Sequence, residues 1–377
     1  METGKMIEVD EKRLLTWKPR RFAMAATMDV MVKDEYPDIE RELGHRALSF
    51  HRVDLHRGLR ELATREGEGD DGVPVEVRLG CEVVGVDCED GVLRLADGTT
   101  MQKDLVVIAD GAHSHLLSDF LGRESPAQHT GRSIYRWLVS MDDVMADPEL
   151  AGLFRGELPG FLAYIDPLKN SLWIMYACRG GKVLNNAVVH ATEPGEGEED
   201  AWHSPASREQ VLKTLENYHP TTLKIPNLAS EDGIKVHKLF KRDALSSFVR
   251  GRTAIVGDAA HVMLPTHAAG GAIAIESAAA LETLFRGVQT GDGETIQQRL
   301  RMFDELRIPR CNLTMLASNA GAENWLGDPA VEEEIRKYYN GALPPKGAMP
   351  WSREFREVLF NHDEFAAAAE MLKKKSI

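Results

Sequence analysis

The chain has 377 residues, longer than one ordinary domain, and its 43% hydrophobic and 28% charged residues allow a sizeable core. A formal net charge of −14 argues against nucleic acid or anionic membrane surfaces as partners. No run of about eighteen apolar residues is present to span a bilayer, and the first residues lack a secretory apolar core.

Residues 1–30 show no strong period. A dinucleotide-binding chain is expected to carry a strand, Gly-x-Gly-x-x-Gly and a helix, then an acid for the ribose. That glycine run occurs nowhere in the sequence. Ser49 to Leu62 predicts a helix from the spacing of Leu55, Leu59 and Leu62, with Asp54 near its start where the dipole favours an acid. Residues 63–73 are a polar loop. Alternation at Val75, Val77 and Leu79, then Glu82 to Asp87, then Val92 to Leu95, predicts a meander with turns at Asp90-Gly91 and Asp97-Gly98. Leu105 to Ile108 is unbroken apolar, as in a strand buried on both faces, and Asp110-Gly111 follow it.

From Ser133 the character changes. Ile134 to Ser140, Gly160 to Ile165, Ser171 to Cys178 and Val183 to Ala191 predict an antiparallel sheet. Trp137, Tyr164, Trp173, Met175 and Tyr176 either wall a pocket for a planar substrate or form the core, and alternation fits both. Glu193 to Asp200 is expected to be a solvated acidic loop. Ser207 to Tyr218 predicts a helix capped by Ser207 and stopped at Pro220. Lys235 to Arg242 is a further strand.

Thr253 to Val256 has the length and branching of a buried strand and ends at Gly257-Asp258. A loop through Pro265 leads to Gly270-Gly271. From Ala272 the pattern turns helical, with Ala274, Ala278, Leu281 and Phe285 on one face. Strand, acid, glycine loop and helix start make a ligand-edge arrangement. The carboxylate can accept from ligand hydroxyls, and the glycines admit close backbone approach. Ile296 to Arg310 is helical and basic. No metal site is predicted: His113 and His115 lack a third ligand, and Cys81, Cys88, Cys178 and Cys311 show no Cys-x-x-Cys spacing. His261 and His267 fit structural hydrogen bonding, and no catalytic side chain is assigned. A reduced, cytoplasmic compartment is expected.

The run Gly257-Asp258-Ala259-Ala260-His261, then Pro265, Gly270 and Glu276, resembles the second flavin motif of single-component FAD-dependent aromatic hydroxylases, the salicylate-hydroxylase-like monooxygenases. In that family an acid matching Asp258 holds the ribityl chain, and the loop through Pro265 and Gly270 lies along the flavin ring. The family usually has Gln at Ala269 and Asp at Ser277. Asp110-Gly111 resembles its Asp-Gly motif, with Ile108 and Leu117 replacing the usual Gly and Arg. Arg52, in the run His51 to Leu55, resembles an arginine that faces the flavin. Phe303, Arg307 and Arg310 resemble an aromatic-and-arginine helix, and Trp351 with Asn361-His362-Asp363 the closing segment.

The resemblance implies an α/β, doubly wound Rossmann-like domain, incomplete at its N-terminus, with an inserted β-sheet substrate domain. Residues 1–130 and 240–345 would bind FAD, 131–239 the substrate, and 346–377 would form a tail. The implied reaction is NADPH- or NADH-dependent insertion of one oxygen atom from O2 into an aromatic or phenolic molecule. Expected cofactor contacts are Arg52, Asp110, Gly111, Gly257, Asp258, Pro265, Gly270 and Gly271. Lacking the first βαβ element, the chain is expected to hold FAD weakly and to leave Leu105 to Ile108 on an open edge. Two rivals fit the same residues: a truncated, non-catalytic homologue, and a flavoprotein of this fold that epoxidises or dehydrogenates a terpenoid or polyketide.

Overall fold

In the computed structural model the described residues are 15–16, 20–34, 39–44, 48–65, 74–154, 161–197, 204–321, 328–348 and 352–375. They form two compact units, residues 1–78 with 131–239 and residues 79–130 with 240–377. Trp351, most of the 63–73 loop and the end of the Glu193–Asp200 loop lie outside the described residues.

The first unit is built on a sheet whose described strands run, in spatial order, Ser204–Pro205, Lys235–Lys241, Gln128–Ser140, Val183–Ala191, Ser171–Cys178, Phe161–Asp166, Arg20–Met24 and Val30–Asp34. Neighbours from Gln128–Ser140 through Phe161–Asp166 pair antiparallel, while Arg20–Met24 pairs parallel to Phe161–Asp166. Period-two alternation fixes the faces. Trp173 and Met175 point into the core at 0% exposure, with Trp137 and Tyr164 beside them. The helices Met141–Ala146, Pro148–Phe154 and Arg208–Thr214 bring Val144, Leu150, Phe154 and Val211 onto that same cluster. Of the five aromatic-or-Met residues, four are thus core, and Tyr176 faces the other side. Ser207 caps its helix as expected, in a full capping box with Gln210.

Three differences from expectation have local causes. The strands at Arg20–Met24 and Val30–Asp34 carry little hydrophobic period, being held by pairing, and they draw the N-terminal residues into the first unit rather than into a grouping with 240–345. Val75, Val77 and Leu79 form no strand: they are 57%, 46% and 78% exposed, and among the described residues no strand pairs with them. In the Glu193 loop, Glu196 is buried, not solvated, because His190 Nε2 lies 2.9 Å and 3.0 Å from its two carboxylate oxygens and the Glu193 N–H donates to it at 3.1 Å.

Among the described residues the second unit holds two three-stranded sheets: the meander Val83–Asp87, Val92–Leu95, Thr100–Gln102, and the sheet Val249–Arg250, Thr253–Ile255, Val106–Ile108. The unbroken apolar run of the last strand predicts burial on both faces. Val106 and Ile108 are buried, but Val107 is 41% exposed, since among described residues the strand pairs only with Thr253–Ile255. The helices Gly270–Phe285, Gly293–Ala320 and Glu364–Lys374 pack on one core with that sheet. In the first of these, Ile273, Ser277, Ala280 and Leu284 are the buried positions, one step from the predicted stripe. The segment assigned to a tail is helical at Arg353–Leu359 and Glu364–Lys374 and adds Phe355, Leu359 and Ala368 to the interior. Among the described residues no helix is long and apolar enough to cross a membrane.

Candidate functional site

Val106–Ile108 and Thr253–Ile255 run parallel, with Ile108 opposite Ile255. Asp110-Gly111 and Gly257-Asp258 therefore leave the carboxyl ends of adjacent strands, where α/β sheets bind ligands. Gly257 has φ 62° and ψ −150°, a region that only glycine occupies without strain, so the strand can turn sharply into Asp258. Gly111, at φ 89°, makes the matching turn on the other strand, and Asp110 accepts from the His115 N–H at 3.1 Å.

The next loop is pinned from behind. The Leu264 N–H donates to Asn319 Oδ1 at 2.9 Å, and His267 Nδ1 lies 3.2 Å from Ser318 Oγ. Pro265 opens a short turn that ends at Ala268, held left-handed at φ 51°, a conformation costing a residue with a side chain about 1–2 kcal/mol. No local sequence signal announces Ser318 and Asn319, because the loop residues they hold lie 51 and 55 positions away.

Gly270 and Gly271 begin a 16-residue helix whose N-cap, Ala269, offers no side-chain cap and whose first turn has no acid. Its first N–H groups and the positive end of its dipole are thus available to an acceptor. An added Cβ at Gly270 would meet Met263 Cγ at 3.8 Å and Asp258 Oδ1 at 3.9 Å; at Gly271 it would meet nothing within 4 Å. Neither glycine has a left-handed backbone. The protein's own packing does not require them, and glycine in a helix costs roughly 0.5–1 kcal/mol relative to alanine. A large flat or anionic group over this helix start does account for them, so the residues fit FAD. Seven of the eight expected contacts lie in this unit. Arg52 does not: it is the exposed first residue of the Arg52–Thr64 helix in the other unit.

Behind the loop lies a buried ionic network. Arg310 holds Glu276 through Nε at 3.0 Å and Nη2 at 2.8 Å, while Arg307 bonds Glu276, the Ile273 carbonyl and Glu364. Burial would push the Glu276 carboxyl up, but the Arg310 hydrogen bond and charge, with Arg307 and His362, hold it below the ordinary range. Glu276, His362 and Glu364 place ligand atoms within 4.8 Å of one another, yet the two guanidiniums already supply the cations there.

His261 and His267 are both fully buried. Burial holds each near a pKa of about 4, against an ordinary 6.5, and the Arg307 charge adds to this at His261. Unfolded imidazoles gain a proton as pH falls through 6.5, whereas the folded ones stay neutral until about 4. The unfolded state binds more protons across that window, so stability falls with pH there, by up to about 3 kcal/mol per histidine. Urea midpoints from pH 7 to 4 should show a shallower loss for His261→Phe than for the parent. Parallel slopes would mean that His261 titrates normally.

A family profile described as FAD binding domain matches residues 51–315. An FAD-dependent monooxygenase from Diaporthe leptostromiformis is 29% identical over 96% of this chain and 92% of its own length. Hispidin-3-hydroxylase from Neonothopanus nambi is 29% identical over 78% of this chain and 71% of its own. Among solved structures, a salicylate hydroxylase in complex with substrate superposes with a TM-score of 0.70 at 22% identity, covering 95% of this chain and 82% of that one, a likeness of fold. With the glycine-lined strand ends inside the matched segment, the chain belongs to the FAD-dependent monooxygenases, flavoprotein enzymes of Rossmann-like fold.

Proposed function

We propose that the chain uses NADPH or NADH and O2 to hydroxylate an aromatic or phenolic small molecule, in a cytoplasmic setting. Asp258 would accept from the ribityl hydroxyls, and the backbone from Pro265 to Gly271 would lie along the flavin ring. Asp110-Gly111 and Gly257 would shape the floor. When bound, reduced flavin with O2 supplies the oxygen atom that is transferred. The chain's own residues bind, orient and exclude water, which agrees with the absence of an assigned nucleophile or acid–base pair.

The observation that supports this best is the open helix start at Gly270-Gly271, where glycines that the fold does not need leave space and uncapped N–H groups. A phenolic substrate is favoured by the relative named hispidin-3-hydroxylase. The test begins with the visible spectrum of the protein reconstituted with FAD, followed by NADPH and NADH consumption with a panel of phenols. A product heavier by one oxygen is expected. Loss of two hydrogens would show a dehydrogenase, and a flavin that never binds would sink the proposal.

A further inference from the structure

Leu264 to Ala269, the loop that leads into the glycine helix, is too irregular to fix its own position. An internal hydrogen bond, from the Ala268 N–H to the Pro265 carbonyl at 3.1 Å, closes one turn. That turn ends with Ala268 at φ 51° and ψ 26°, a left-handed backbone that persists only where the surroundings over-determine it. The surroundings here are one helix end. Asn319, next to last in Gly293–Ala320, accepts from the Leu264 N–H at 2.9 Å, and the Oγ of its neighbour Ser318 lies 3.2 Å from His267 Nδ1. Two consecutive residues thus hold the loop on both sides of Pro265-Thr266.

The same helix is tied to the glycine helix further back. Arg310 forks onto Glu276 at 3.0 Å and 2.8 Å, and Arg307 donates to the Ile273 carbonyl at 3.1 Å. Ile273 and Glu276 lie in the opening turns of Gly270–Phe285. Asn319 stands about 13 Å beyond Arg310, at 1.5 Å of rise per residue. Loop, glycine helix, ion pairs and long helix therefore close a ring of contacts, and the Asn319 bond is the link that reaches the loop. Without that link the part-buried Leu264 N–H has to find water, which requires the loop to shift.

We propose that Asn319 is a positioning residue for the flavin reaction: by holding the Leu264 N–H it sets the Pro265–Ala269 backbone where the cofactor's ring lies. Asn319 itself touches neither cofactor nor substrate. The inference rests on the proposed course of this loop along the flavin, and it adds the residue that fixes the loop there. The residue type follows from its place. A carboxylate would make the same bond but meet the negative end of the helix dipole, and leucine would favour the helix but lose the bond.

FAD binding is measured by fluorescence titration, the bound flavin by its visible spectrum, and the fold by urea unfolding. Asn319→Leu should weaken FAD roughly ten-fold and shift the visible band, because the free loop relaxes and binding has to restore it. Asn319→Asp should stay within about two-fold of the parent for FAD, with the same spectrum, while its urea midpoint falls. A residue that only supports the fold would not give that crossed pattern. FAD affinity that is unchanged in Asn319→Leu, or that follows the urea midpoint in both variants, overturns the inference. Should Asn319→Leu not fold, Ser318→Ala removes the other pin by deleting one oxygen and has to weaken FAD in the same way; unchanged affinity there counts equally against it. Gly270→Val separates this inference from the reading beneath it. If Gly270→Val weakens FAD and Asn319→Leu does not, Asn319 alone is misassigned. If neither does, or the parent takes up no FAD, the loop does not lie along the flavin and both fail.

Discussion

Replacing Arg307 with Met is expected to destabilise the fold by about 3–5 kcal/mol, the usual result of removing one partner from a buried ion pair. Arg307 is 0% exposed and bonds Ser277 Oγ, the Ile273 carbonyl, Glu276 and Glu364, so it joins three helices at one point. Met fills much of the same volume, which isolates the loss of charge from the loss of packing. The variant leaves Glu364, itself 4% exposed, with His362 at 2.8 Å as its side-chain hydrogen-bond partner among the described residues. Restoring charge balance by Arg307→Met with Glu364→Leu should recover most of the loss, because desolvation is then relieved at both ends. Urea unfolding of the two variants decides it. A single variant within about 1 kcal/mol of the parent would show that the network adds little to stability.

That network marks where sequence patterns stop being informative. Phe303, Arg307 and Arg310 stood out as an aromatic-and-arginine helix, yet a basic helix reads from sequence as a solvated one. Nothing local says that Arg307 is fully buried, because its carboxylates come from positions 31 and 57 residues away. The same blindness hid Glu196, whose partner His190 lies across a turn. Strands with a covered face were readable. Ser171–Cys178 and Val183–Ala191 have the predicted bounds, because alternation about one buried face is a local property. Arg20–Met24 and Val30–Asp34 were not, being held by their neighbours' hydrogen bonds.

The candidate flavin site was the most readable part, since its geometry depends on backbone chemistry that single residue types announce. A strand ending in Gly257-Asp258 and a helix opening on Gly270-Gly271 need no distant partner to be seen. What the sequence could not supply was the brace behind the loop, Asn319 and Ser318, or the division that places Arg52 in the other unit.

Asp258→Ala should weaken FAD binding roughly ten- to a hundred-fold, the equivalent of a charge-assisted hydrogen bond worth about 1.5–3 kcal/mol. Asp258 starts a short helix just after the sharp turn at Gly257, and its Oδ1 lies 3.9 Å from where a Cβ on Gly270 would stand. The acid and the glycine helix start therefore border one space, and a group that uses both should respond to changes at either. Gly270→Val tests the second border: its backbone is not left-handed, and outside its own chain neighbours and helix backbone the added Cβ would meet Met263 Cγ first, at 3.8 Å, so the fold should tolerate it. The branched side chain would instead take up room next to Asp258. Fluorescence titration with FAD, alongside circular dichroism, should show both variants folded and both weakened. Unchanged affinity in Asp258→Ala would make the acid a turn residue. Unchanged affinity in Gly270→Val would place the flavin ring elsewhere than along this loop.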